Sequence, residues 1–305
     1  MWYNLIMLEE QKQIKSYDGF LLYAKEYIAD DPKGVIIITT DVKEHSGLYE
    51  NFSLKLQGLG FNVFTYDLRA HRESSVAPFG TYQGNFFNDC VRDVLYLNKY
   101  LSKKYNLPIT NIGVGVGGVI VTRAMQFYHE KCKNVIVGSP YEMFNIVNYT
   151  AVCLTRLTMV FINKQSEAKC LNKIIYNKYA KKFEDGAYLS TNKVFMDKVK
   201  NDKFCNFNLS ANILNSVFKG IATTFTNKNL NKIDREQKFM LASGEYDIVT
   251  NFGKKTTELA KKFKNLKINS EKIIFKDLRH NLLNESNDTF IEYLEKFIYE
   301  GENLW

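Results

Sequence analysis

Proline is scarce, at 4 in 305 residues, and histidine is equally rare. The scarcity goes with an abundance of Lys, Asn, Ile, Tyr and Phe, which reads as the compositional bias of an AT-rich genome. The five cysteines (Cys90, Cys132, Cys153, Cys170, Cys205) are dispersed with no C-x-x-C pair. That excludes a disulfide framework and points to reduced thiols in a cytoplasmic protein. No His/Cys/Asp cluster has metal-ligand spacing in the chain, so neither metal nor cofactor is expected. Long apolar runs are missing too. The most apolar stretch, Ala151 to Ile162, is interrupted by Arg156, which excludes a transmembrane helix of about 18 or more residues. The first residues lack a basic start and a cleavage site, and Glu9 and Glu10 follow soon after Met7-Leu8, so no signal peptide is expected.

What is present suffices for a large core: 45% hydrophobic and 14% aromatic residues, enough for one large domain or two small ones. The net charge of +8 is read first as solvated Lys faces and second as a weak attraction to anionic membrane. Nucleic acid is not an expected partner, because no reader motif accompanies the charge.

Strands and helices alternate. Leu21–Tyr27, Gly34–Thr39, Asn62–Tyr66, Asn111–Gly113, Asn134–Val137, Lys238–Ala242 and Lys272–Phe275 read as strands. Leu48–Gly58, Phe86–Tyr105, Glu258–Phe263 and Phe290–Ile298 read as helices or parts of helices. Continuous apolar strands between amphipathic helices predict an α/β class with a mostly parallel sheet covered on both faces. Residues 141–205 break the rhythm; they are helical and Lys-rich and read as an insertion. The expected division is a core of 1–140 and 206–305 with a helical cap at 141–205.

The most informative segment is Gly113-Val114-Gly115-Val116-Gly117-Gly118, between a strand and a helix. A sharp turn with glycines on both sides of one residue has the form of the nucleophile elbow, Gly-x-Ser-x-Gly. Here the middle residue, Gly115, has no side chain. The same run matches G-x-G-x-x-G, yet it lies mid-sheet, and the next strand ends at Val137-Gly138-Ser139 without the acid that holds a ribose, so no dinucleotide is expected. Ser139-Pro140 lacks an elbow and is not a nucleophile candidate.

Four further segments follow strands: Glu44-His45-Ser46-Gly47-Leu48-Tyr49, Tyr66-Asp67-Leu68-Arg69-Ala70-His71, Ser243-Gly244-Glu245-Tyr246-Asp247-Ile248-Val249, and Leu278-Arg279-His280-Asn281-Leu282-Leu283-Asn284-Glu285. With Asp202-Lys203-Phe204-Cys205-Asn206-Phe207, they resemble the monoacylglycerol lipase and lysophospholipase (serine aminopeptidase S33-like) branch of the α/β-hydrolases. In the third segment Val249 comes one residue earlier than in the family pattern. The resemblance implies an α/β-hydrolase fold with a helical cap, a base at His280 and an orienting acid at Asp247. It puts the nucleophile at Gly115 and the oxyanion-hole N–H groups at Val42 and Val116, with Thr40-Asp41 where the family has His-Gly.

Acyl transfer needs a nucleophile, and Asp41 adds negative charge where an oxyanion would form. The expected function is therefore a non-hydrolytic protein binding an apolar or lipid-like ligand, or a partner protein. The alternatives are an enzyme using the His280–Asp247 dyad as general base, or a residual lipid ester hydrolase. If Asp41 reaches His280, two carboxylates flank one imidazole and favour its charged form. His45 and His71 are expected to structure loops, and His129 to lie at the surface. The apolar residues of Tyr141–Lys164, Met143 and Phe144 among them, are expected to roof an apolar cavity.

Overall fold

The computed structural model describes residues 9–299 other than 77 and 143–145; Met143 and Phe144 therefore lie outside the described residues. The strands are β1 (Glu9–Lys15), β2 (Leu21–Tyr27), β3 (Gly34–Thr39), β4 (Phe61–Tyr66), β5 (Ile109–Val114), β6 (Lys133–Val137), β7 (Lys238–Gly244) and β8 (Ser270–Phe275). They form one sheet in the order β1-β2-β4-β3-β5-β6-β7-β8. β1 and β2 pair antiparallel, as do β2 and β4, and all other neighbours pair parallel.

β3 reads Gly-Val-Ile-Ile-Ile-Thr and is buried throughout. β-branched residues suit a pleated strand covered on both faces. Because side chains alternate, Val35 and Ile37 join one core and Ile36 and Ile38 the other. The first core is filled from α2 (Phe86–Tyr105), α3 (Val116–Met125), α7 (Ala211–Thr224) and α9 (Lys254–Asn265), the second from α1 (Glu50–Gly58) and α10 (Thr289–Tyr299). α2 is delimited by its own caps. Asn85 Oδ1 accepts from the Asn88 N–H at 3.2 Å, and Asn106 closes the helix in the left-handed region at φ 53°.

The strand expected at Leu21–Tyr27 is β2, and it is preceded by a hairpin partner, β1, that the sequence reading did not include. β1 is polar apart from Ile14, so it carries no apolar strand signal. Residues 141–205 hold α4 (Ile146–Phe161), α5 (Lys169–Ala180) and α6 (Lys193–Asn201) and no named strand among the described residues. α7 continues the helical run. Its Asn215 Nδ2 donates to Val152 O (3.2 Å) and Thr155 Oγ1 (2.7 Å) of α4, and its Gly220 lies against the Phe87 ring of α2. The short α8 (Asn227–Leu230) leads towards β7.

Candidate functional site

The loops after β3, β5, β6, β7 and β8 meet at the carboxyl edge of the parallel strands, where open α/β sheets place their sites. Gly115 links β5 to α3 with φ 54° and ψ −120°, a left-handed turn that glycine adopts without strain. Its N–H bonds to Val137 O at 2.8 Å. Gly113 and Gly117 let the start of α3 approach β5 and β3, since a Cβ on either would collide with backbone. The glycine run is explained by this packing.

Asp41 decides what the turn can do. A Cβ built on Gly115 falls on the Asp41 carboxylate, 2.6 Å from Oδ1 and closer still to Oδ2. Asp41 Oδ1 also accepts both the Val42 and the Val116 N–H, each at 2.8 Å. One carboxylate thus fills the space of a side chain at 115 and satisfies both backbone donors that the family resemblance assigned to an oxyanion.

His280 and Asp247 meet as expected. His280 Nδ1 lies 3.0 Å from Asp247 Oδ1, and Nε2 lies 3.4 Å from Asp41 Oδ2. Gly244 allows this: a Cβ there would strike the carbonyls of Leu278 and Arg279, so β7 and the His280 loop approach closely. Asp247 Oδ1 is further fixed by the Val249 N–H at 2.9 Å. Burial opposes the charged form of His280, but the carboxylates of Asp247 and Asp41 overcome it and hold its pKa well above the ordinary imidazole value.

Beneath this pair lies Glu44, whose role the sequence did not disclose. Its carboxyl pairs with the Tyr49 hydroxyl and accepts from Asn281 Nδ2 at 3.0 Å. Burial, and then the charge of Asp41, raise its pKa to about 7. Glu285 fastens the His280 loop, accepting from the Arg279 N–H (2.8 Å), the Ser190 hydroxyl (2.9 Å) and the Thr191 N–H (2.9 Å).

Above the turn is a cavity of ≈ 90 Å³, lined by Asp41, Gly115 and His280 below and by Tyr176, Tyr179 and Tyr188 on the opposite side, with Leu214, Val217 and Ile221 of α7. The tyrosines were missed at the sequence level. The signal available was Tyr176 and Tyr179, three apart on one helix and so on one face. The Lys43 ammonium lies 4.3 Å over the Tyr176 ring.

The other histidines fall as expected. His71 accepts the Lys43 N–H on Nε2 (2.9 Å) and places Nδ1 2.9 Å from Arg69 O, joining two loops; burial lowers its pKa to about 4. His45 accepts the Gly47 N–H and lies 2.7 Å from Asp202 Oδ2. His129 is exposed. The fold does bring His45, Asp202 and Cys205 within 4.8 Å of one another, a grouping that spacing along the chain could not reveal. The short His45–Asp202 contact identifies it as a hydrogen-bonded link between loops. Ser139 is buried. No helix among the described residues is long and apolar enough to cross a membrane.

Comparison with known proteins agrees with this fold. Residues 30–287 match the family model of serine aminopeptidase, S33. The human monoglyceride lipase is 26% identical over 199 residues, which span 65% of this chain and 61% of that protein's length. Among solved structures, a thermostable carboxyl esterase from Bacillus coagulans superposes with a TM-score of 0.84 at 17% identity, covering 96% of this chain and 97% of the esterase. A soluble variant of monoglyceride lipase from Saccharomyces cerevisiae superposes at 0.71 and 14% identity, covering 97% and 95%. These structures share the α/β-hydrolase fold, with the sheet and flanking helices described above. The chain belongs to the serine aminopeptidase S33 family of α/β-hydrolases and is related to monoglyceride lipase.

Proposed function

We propose that this protein performs no serine-based acyl transfer, and that its site binds a small apolar or lipid-like ligand beneath a cap formed by residues 141–205. The observation that carries the reading is the Asp41 carboxylate. It occupies the side-chain space at Gly115 and takes both N–H groups that would stabilise an oxyanion. A substrate carbonyl then finds neither nucleophile nor hole. The lining of the cavity is mostly apolar, which suits a hydrophobic ligand. A general-base role for the His280–Asp247 dyad, or residual ester hydrolysis through water, requires a neutral imidazole, and carboxylates facing both ring nitrogens oppose it.

The apolar surface of α4 supports a lipid setting. Ile146, Val160 and Phe161 are 73%, 76% and 78% exposed, on a chain of net charge +8. Contact with an anionic membrane fits both features. All five cysteines are free, which supports a reducing, cytoplasmic setting. The test is labelling with a fluorophosphonate, which needs an activated serine. No adduct is expected on the native protein; stoichiometric labelling of any serine overturns the reading.

A further inference from the structure

The opposite, amino edge of the parallel strands holds a second and larger cavity, of ≈ 580 Å³. It is built where strands begin. Lys33 precedes β3, Phe61 opens β4, Ile109 opens β5, Lys133 opens β6 and Lys238 opens β7, while Ile298 of α10 closes the other side. Strands of six residues separate it from Gly115 by about 20 Å, and the two cavities share no lining residue among those described. Val35, Phe61 and Ile109 give it a buried apolar floor. Its charge is one-sided: Lys33, Lys131, Lys133 and Lys238 against Glu236, with no arginine among the described lining residues. Lys133 and Lys238 are register partners on neighbouring strands, and like charges set opposite one another repel, a cost that an anion would offset. The Lys133 ammonium donates to Ile298 O, and that of Lys238 lies 5.1 Å over the Phe297 ring. Lys33 and Lys131 are exposed, and the Lys33 ammonium lies 5.7 Å over the Tyr299 ring.

We propose that this amino-edge cavity is a binding site for a small amphipathic phosphate monoester. The volume of ≈ 580 Å³ falls within the roughly 300–1,000 Å³ usual for ligand pockets, and it exceeds what an inorganic ion needs. The apolar floor takes the organic body and the lysines take the head. Lysine rather than arginine selects the head group. The planar arginine fork matches a carboxylate edge to edge, whereas an ammonium is a point charge on a flexible stem. Ammonium groups carried by the segments before β3, at β6 and at β7 can meet a tetrahedral phosphate from several directions. A phosphate dianion also answers a lining with four ammonium groups and one carboxylate better than a single negative charge does. Because Lys133 is engaged with Ile298 O, the direct contacts fall to Lys33 and Lys131, while Lys133 and Lys238 contribute their field. The site stands apart from the reading of the cavity over Gly115 and holds whichever way that reading is decided.

The test is isothermal titration calorimetry of the full chain with octyl phosphate below its micellar concentration, and with octanol, octanoate and inorganic phosphate in parallel. Octyl phosphate should saturate one site. Octanol and inorganic phosphate, each lacking half of what the lining recognises, should bind at least about tenfold more weakly, and octanoate should fall between. Lys33→Ala with Lys131→Ala alters exposed side chains; it should leave thermal unfolding unchanged and weaken octyl phosphate about tenfold. Lys173→Ala with Lys178→Ala removes the same charge from exposed positions of α5 and should leave the affinity as it is. Absence of saturable binding overturns the proposal, as does affinity that ignores the Lys33 and Lys131 changes. Octanol or octanoate binding as tightly as octyl phosphate overturns it too, and an equal loss in both double variants would reduce the effect to net charge and overturn it likewise.

Discussion

At the residue scale, Asp41 controls which substitutions the site tolerates. Gly115→Ser puts a Cβ into its carboxylate, at a backbone φ of 54° that strains non-glycine residues. The variant should lose about 1–3 kcal/mol of stability to overpacking and should not hydrolyse p-nitrophenyl esters. Asp41→Gly with Gly115→Ser removes the obstruction and should hydrolyse them; equal turnover in the single and double variants would sink the argument. Glu44 provides a second residue-scale test. Its folded pKa of about 7 lies above the ordinary glutamate value of 4.5, so its contribution to stability is full below about pH 4.5 and is lost as pH rises towards 7. Glu44→Gln should flatten that part of the pH profile in urea unfolding; an unchanged slope contradicts the assignment. Asp41, Gly115, Asp247 and His280 were legible because each sits in an ordered motif after a strand. Glu44 lies within such a motif, but its burial against Asn281, 237 residues away, is a product of the fold.

At the element scale, the strands legible in the sequence are the apolar ones of the parallel sheet. β1 escaped because an edge strand paired on one side needs no apolar run. The helices of 141–205 were legible as helices, but not by what they cover: that α5 lines the cavity over Gly115 together with α7 is set by the fold. The α2–α7 contact is tight enough to test. Gly220 lies against the Phe87 ring so closely that a Cβ would overlap it, and Gly220→Ala should cost about 1–3 kcal/mol in urea unfolding. An unchanged midpoint would mean that α7 is free to shift. For α4, Val160→Glu together with Phe161→Glu alters residues already 76% and 78% exposed. The pair should leave thermal unfolding unchanged and reduce co-sedimentation with anionic vesicles. Binding that is indifferent to these changes would remove α4 from any membrane role.

At the scale of the whole molecule, buried Arg69 ties distant parts together. Its guanidinium bonds Asp93 of α2 through Nε and Nη2, each at 2.7 Å, and Asp18 of the β1–β2 turn at 2.8 Å. Asp93→Ala would leave that buried guanidinium with Asp18 as its remaining carboxylate partner and should cost about 1–3 kcal/mol. The loops at the carboxyl edge are bound as firmly, and this makes the placement of Asp41 a property of the fold. The measurement that tests the central claim most directly is a ¹⁵N NMR titration of His280 in native protein and in Asp41→Asn. With Asp247 and Asp41 on its two nitrogens, the ring should be an imidazolium at pH 7, and Asp41→Asn should lower its pKa. A native ring that is neutral at pH 7, or one whose titration ignores Asp41→Asn, would contradict the account.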